Sequence, residues 1–311
     1  MTTQYDGTPN RSYVAFFAFR SISAVLGDRT STARTGGRAR AVCRYRWRML
    51  GSGWTEAVAL VAAFCIAVVT TPAGVSGAVL LLPFQVSVLG TPSPAVTPTN
   101  LLYNVIASPG ALYRYWRQGQ RAGRLTTVLL AGTLPGVIAG SVIRVELLPG
   151  ALVFDYVIAA VLFPLGAWLA LDLGRQASGT AGPPRLPTRV VALIAAGVGC
   201  VGGIYGIGGG SILAPILIGD GRPPAEVAPA ALASTFVTSL AGVVTFTVLS
   251  LQRHGAIAPD WPTGIALGAG GLAGGYVGAR IQGRLPDRTI RRILGVIVIA
   301  IGARYLWAAL G

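Results

Sequence analysis

Long stretches of this chain carry no charge at all. No Asp, Glu, Lys or Arg occurs between Glu56 and Arg114, between Arg189 and Asp220, or between Glu226 and Arg253. A helix that crosses a bilayer needs about 20 predominantly apolar residues, so each run holds at least one span. In lipid the backbone polar groups must be satisfied within the element, which dictates helices rather than open sheet. Runs such as Ala57–Val69 and Val296–Ile301 are apolar on every face, unlike the alternating strands of a membrane β-barrel. The pattern predicts an all-α integral membrane protein.

The pattern also recurs. Gly74-Val75-Ser76-Gly77 followed by Pro83 returns as Gly206-Ile207-Gly208-Gly209 followed by Pro215, about 132 residues later. Ala95-Val96-Thr97-Pro98 returns as Glu226-Val227-Ala228-Pro229, and Gly136 and Gly140 before Leu148-Pro149 return as Gly274 and Gly278 before Leu285-Pro286. Features that keep their order along each half predict two homologous transmembrane repeats, 55–172 and 190–311, joined by a Pro/Gly/Arg-rich linker at 173–189. Each repeat opens with a glycine-broken or re-entrant segment (57–90 and 190–219), then runs through three further spans. These lie near 98–114, 125–144 and 151–171, and near 227–252, 262–280 and 290–310, for eight or nine spans in all. Pro83, Pro98, Pro215 and Pro229 are expected to break helices.

Composition sharpens this picture. Only 11% of the 311 residues are charged, where a soluble domain has about a quarter, and the mean hydropathy is +0.64. The formal charge of +15 does not indicate a nucleic-acid partner, because the arginines sit in the gaps between apolar runs, as in cytoplasmic loops of membrane proteins. Residues 1–54 differ, with arginines spread among Ser, Thr and Gly. They read as a basic, disordered cytoplasmic arm, or else translation starts at Met49. Cys43, Cys65 and Cys200 make neither a metal-ligand spacing nor an even set. No cofactor, metal or disulfide framework is expected. With the arm cytoplasmic, the positive-inside tendency places Arg114, Arg117, Arg121 and Arg124 inside. It then conflicts with Arg280, Arg284, Arg288, Arg291 and Arg292, which fall outside on the same scheme.

Several motifs carry candidate chemistry. Gly197-Val198-Gly199-Cys200-Val201-Gly202 fits a dinucleotide fingerprint in spacing only, since it lies inside an apolar run rather than between a strand and a helix. Gly74-Val75-Ser76-Gly77 has the form of an intramembrane protease nucleophile, but the only histidine, His254, follows a span end, and the second copy has Gly208 where the serine stands. A nucleophile needs a base in reach; no enzyme is expected. Gly132/Gly136/Gly140 and Gly270/Gly274/Gly278 are small-residue faces for close helix packing. Gly74 and Gly77, and Gly206, Gly208, Gly209 and Gly210, are instead clustered within apolar segments. Matched discontinuous helices expose backbone N–H groups near the midplane, and helix N-termini favour anions. Candidate binding residues are therefore Gly74, Ser76, Gly77, Gly206, Gly208, Gly209 and Gly210. The following helix of each half supplies Asn100, Asn104 and Ser108, and Ser234, Thr235, Thr238 and Ser239, each set at helical spacing. These side chains serve either the site or interhelical hydrogen bonding, and the sequence favours neither.

The duplicated pattern of Gly74–Gly77, Pro83, Ala95–Thr97, Gly206–Gly210, Pro215 and Leu285-Pro286-Asp287 with Arg291-Arg292 resembles the sulfite exporter family TauE/SafE over about residues 55–310. The second copy is the closer match; the first has Ser76 and Ala78 where the family usually has glycines. The resemblance implies a secondary transporter, exporter or permease, of sulfite, a sulfonate or a related small organic anion. It implies a multi-pass protein of the cell membrane whose partners are that solute and lipid. Acids inside the spans, the expected carriers of a coupling ion, are nearly absent, with Asp155 the one candidate. The alternative from another class is a non-transporting membrane scaffold or assembly protein.

Overall fold

The computed structural model describes residues 53–73, 76–117, 123–148, 150–171, 186–253, 255–281 and 287–310. The basic arm, Gly74, Arg121, most of the linker, His254, Arg284 and Leu285-Pro286 lie outside the described residues. Among the described residues every regular element is helical: α1 (Gly53–Ala73), α2 (Ala78–Phe84) with a π-helical turn (Gln85–Leu89), α3 (Val96–Arg117), α4 (Arg124–Glu146) and α5 (Ala151–Ala170). After the linker come α6 (Thr188–Tyr205), α7 (Gly210–Gly219), α8 (Pro224–Gln252), α9 (Trp261–Ile281) and α10 (Asp287–Leu310). Four of them, α1, α4, α6 and α8, are both long and apolar enough to cross a membrane on their own. Their outer faces are apolar too. On α1, Val58, Val61 and Val69 are exposed while Ala59, Ala63 and Ala67 are buried, which suits a surface bathed in lipid rather than water.

At the second break the chain leaves the helix at a glycine, not at a proline. At Gly206 φ is +87° and at Gly208 it is +61°, a left-handed backbone that costs a residue with a Cβ about 1–2 kcal/mol. Helix α6 therefore ends at Tyr205, where the Gly206 N–H closes the last turn on the Gly202 carbonyl at 2.8 Å, and α7 starts at Gly210. The expectation that Pro83, Pro98, Pro215 and Pro229 break helices is corrected. Pro83 lies within α2, Pro215 within α7 and Pro229 within α8. Pro98 is in the first turn of α3, where no intrahelical N–H is required. An internal proline is tolerated when the carbonyl it frees finds another donor. For Pro83 that carbonyl is Val79's, and the Tyr205 hydroxyl donates to it at 3.1 Å.

Small residues set which helices meet. A Cβ on Gly132, Gly136 or Gly140 of α4 would fall onto the backbone carbonyl oxygens of Ala192, Ala196 and Cys200 of α6. A Cβ on Gly270, Gly274 or Gly278 of α9 would meet those of Leu60, Phe64 and Val68 of α1. Both glycine faces are contact surfaces at backbone distance, as small-xxx-small spacing dictates in lipid. Further pairings are α5 with α10, α3 with α8 and α9, α4 with α8, α2 with α3, and α7 with α8. One apolar cluster gathers around α2, joining Leu81 and Leu82 to Ile158 and Leu162 of α5 and Val298 of α10. A second joins Leu129, Val191, Leu213 and Val227 across α4, α6, α7 and α8.

Candidate functional site

The polar face of α3 holds the two interruptions together. Thr97, Asn100 and Asn104 follow helical spacing and are fully or almost fully buried. Asn100 donates to the Ala78 carbonyl at the start of α2 (2.9 Å) and accepts from Gln85 Nε2 in the π-helical turn (3.1 Å). Asn104 faces both breaks: its Oδ1 accepts from the Ser76 hydroxyl at 3.4 Å, and its Nδ2 donates to the Gly206 carbonyl at 3.5 Å. Thr97 Oγ1 donates to the Ile204 carbonyl in the last turn of α6 at 3.1 Å. Tyr103 brings its hydroxyl to 2.6 Å from where a Cβ on Gly77 would stand. Ser108 is buried one turn farther along α3. Ser76, Gly77, Asn100, Asn104 and Gly206 thus converge.

Helix α8 closes the second interruption. A Cβ on Gly208 would lie 2.7 Å from Ser239 Oγ and 3.0 Å from Thr235 Cγ2. One on Gly210 would strike the Ala231 carbonyl and the Thr235 hydroxyl, and one on Gly209 would stand 2.9 Å from Thr133 Cγ2. Thr235 and Thr238 hydroxyls bond back to their own helix, at Ala231 (3.0 Å) and Ser234 (2.6 Å). Ser234 pairs with Thr133 of α4 at 3.0 Å. These hydroxyls are structural glue as placed. Ser239 is different: it is fully buried and its hydroxyl has no hydrogen-bond partner. Thr70 Oγ1, 3.5 Å from the Gly77 Cβ position, is likewise buried and unpartnered. Buried polar atoms are nearly always bonded, so an orphaned hydroxyl beside each break is a departure from the rule.

The Ser76 hydroxyl is engaged on both sides, accepting from the Ala78 N–H at 3.3 Å and donating to Asn104. Neither partner is a base.

Sequence reasoning missed Arg144. It lies in the last turn of α4 with no solvent exposure, the largest fully buried side chain of the described residues. Its Nε donates to Thr97 Oγ1 at 3.3 Å, and its two terminal nitrogens donate to the Leu148 carbonyl and the Ser93 hydroxyl. The Phe154 ring covers the guanidinium at 3.8 Å. A signal was present in the sequence. Arg144 continues the four-residue step of Gly132, Gly136 and Gly140, and so falls on the packed face of α4.

A bundle of apolar-faced helices that meet at a buried polar cluster is the architecture of a multi-pass membrane protein. The chain belongs to the sulfite exporter TauE/SafE family, which matches residues 59–305, and is with it a membrane transporter. The "Probable membrane transporter protein" of Xylella fastidiosa (strain 9a5c) is 27% identical over 250 residues, 75% of this chain and 88% of the relative. That of Sinorhizobium fredii (strain NBRC 101917 / NGR234) is 27% identical over 256 residues, covering 81% and 99% respectively. That of Bacillus subtilis (strain 168) is 32% identical over 111 residues, 35% of this chain and 38% of the relative. No solved structure matches. The sequence-level resemblance to this family is borne out.

Proposed function

We propose that the chain is a secondary transporter of a small oxyanion, sulfite or a sulfonate, acting in the cell membrane and binding its solute where the two interrupted helices meet. The observation that carries this reading is the orphaned Ser239 hydroxyl against Gly208, at the point where α7 begins. The first N–H groups of a helix lack intrahelical partners and favour anions, and a free hydroxyl beside them adds a donor. Thr70 beside Gly77 adds a second unpartnered hydroxyl near the start of α2. The chain is then a pair of repeats of one unit, with eight spanning helices. Helix α7, of 10 residues, reaches about 15 Å, half of the roughly 30 Å hydrocarbon core, and is read with α2 as a part-way, re-entrant element.

The pairing pattern supports the duplication. Exchanging α1–α5 for α6–α10 turns the α1–α9 contact into α6–α4, α2–α3 into α7–α8 and α3–α9 into α8–α4, all of which occur. Rocking of one repeat against the other would expose the site alternately to the two sides. The test is uptake and efflux in proteoliposomes over a panel of sulfite, sulfoacetate, taurine and sulfate. Saturable flux of an oxyanion is expected, abolished by Gly77→Val and Gly208→Val with membrane insertion verified. No saturable flux of any anion overturns the proposal.

A further inference from the structure

We infer that Arg144 is the cation that recognises the transported oxyanion, an inference that rests on the transport reading above. Every group touching the guanidinium is neutral: two hydroxyls, one carbonyl and an aromatic face. Among the described residues no carboxylate pairs with it. Glu146, two positions on, is taken by Arg253 at 3.0 Å in a pair that is partly open to solvent. Burying a charge without an opposite one is among the least favourable arrangements in a protein. Ionisable residues within spanning helices mark solute pathways. If Arg144 served only to fasten the Ser93 and Leu148 loops to α4, the two N–H donors of a neutral amide could supply those two bonds without stranding a charge. In an anion carrier the missing negative charge arrives with the solute.

The chemistry of the group fits a multi-oxygen anion. A guanidinium presents five N–H donors in a planar fork that matches two oxygens of one ligand. Here three donors are spent on weak neutral acceptors, which an oxyanion would outcompete. The Ser93 and Thr97 hydroxyls are already at the guanidinium and can turn to donate.

The position also links binding to the break. Thr97 Oγ1 accepts from Arg144 and donates to the Ile204 carbonyl, two residues before Gly206. The Thr97 carbonyl in turn lies 2.6 Å from the Gly206 Cβ position. An anion that draws the Nε–H away from Thr97 changes a side chain that, together with Asn104, fastens α3 to the end of α6. The guanidinium is closed off in this conformation, as in an occluded state that must open to load. In the sequence, the step that leads from Gly140 to Arg144 leads from Gly278 to Gln282, which is neutral.

The experiment uses the purified full chain as wild type, Arg144→Lys, Arg144→Gln and the control Arg253→Gln. Two readouts are taken: the shift of the thermal unfolding midpoint in detergent with sodium sulfite, and flux in proteoliposomes over the same panel of sulfite, sulfoacetate, taurine and sulfate. Wild type and Arg253→Gln should be stabilised by sulfite with the same half-saturating concentration. Arg144→Lys, which keeps the charge and loses the fork, should need about tenfold more, the loss of a charge-assisted hydrogen bond, and Arg144→Gln should show no sulfite response. If Arg144→Gln does not fold, the lysine variant decides alone. Wild-type half-saturation in Arg144→Lys or Arg144→Gln overturns the inference and leaves the transport reading standing. Arg144-dependent stabilisation without wild-type flux overturns the transport reading and leaves the anion site standing. Neither stabilisation nor flux in wild type overturns both.

Discussion

Replacing Gly208 by alanine should harm this protein, and replacing Gly197 by alanine should help it. Both lie in or just after α6, eleven residues apart, yet their surroundings are opposite. Gly208 has φ of +61°, and leaving that left-handed region or holding a Cβ in it costs about 1–2 kcal/mol. The added Cβ would stand 2.7 Å from Ser239 Oγ, 3.0 Å from Thr235 Cγ2 and 3.1 Å from the Thr235 carbonyl. The serine can rotate, but the threonine carbonyl belongs to the backbone of α8 and must shift by a few tenths of an ångström. A total loss of about 2–3 kcal/mol follows, within the usual range for strain at a special backbone position. Gly197 is helical, and a Cβ there meets nothing within 4 Å. Alanine in its place gains about 1 kcal/mol of helix propensity. The two variants should therefore differ by about 3–4 kcal/mol when purified protein is unfolded in detergent, with midpoints moving in opposite directions. Flux should fall in Gly208→Ala and stay at the wild-type level in Gly197→Ala. Coincident unfolding midpoints for the two variants would refute the argument that backbone geometry at the second break demands glycine.

Two further substitutions probe the same region. Tyr205→Phe removes the only donor described for the Val79 carbonyl that Pro83 frees, and should cost about 1–3 kcal/mol for an unsatisfied buried acceptor; an unchanged unfolding midpoint would show that α2 does not need it. Ser239→Ala deletes a buried hydroxyl that bonds to nothing, so the unfolding midpoint should hold or rise while the half-saturating sulfite concentration increases several-fold. A loss of stability with unchanged sulfite response would make Ser239 a packing residue.

Helix existence was legible because lipid forbids alternatives. Apolar runs without charge had to be helices, and the expected spans at 125–144 and 262–280 match α4 and α9 to within two residues at each end. The interruption at Gly206–Gly209 was also written in the chain, since a cluster of residues without a Cβ is a poor helix. The prolines misled because proline removes one hydrogen bond and crowds the carbonyl four residues back, which a bent helix can absorb. Whether that breaks a helix depends on whether a distant group such as the Tyr205 hydroxyl replaces the lost bond, which is tertiary information. Arg144 was passed over for a related reason. A basic residue near a span end normally snorkels to the interface, and only the contacts with Ser93, Thr97 and Phe154, distant in sequence or on other elements, decide that this one points inward. The convergence of Ser76 and Gly206 on Asn104 was likewise invisible, because it depends on how helices far apart in sequence cross.

The α1–α9 contact has a consequence for how the protein is made. The carbonyls of Leu60, Phe64 and Val68 wait for Gly270, Gly274 and Gly278, which the ribosome delivers only after almost the whole chain has entered the membrane. Until then α1 has lipid or an insertion chaperone against the face meant for α9. The N-terminal half expressed alone should remain an open, protease-sensitive species. The two halves produced as separate polypeptides should recover each other, because the seams that hold this molecule together run between them.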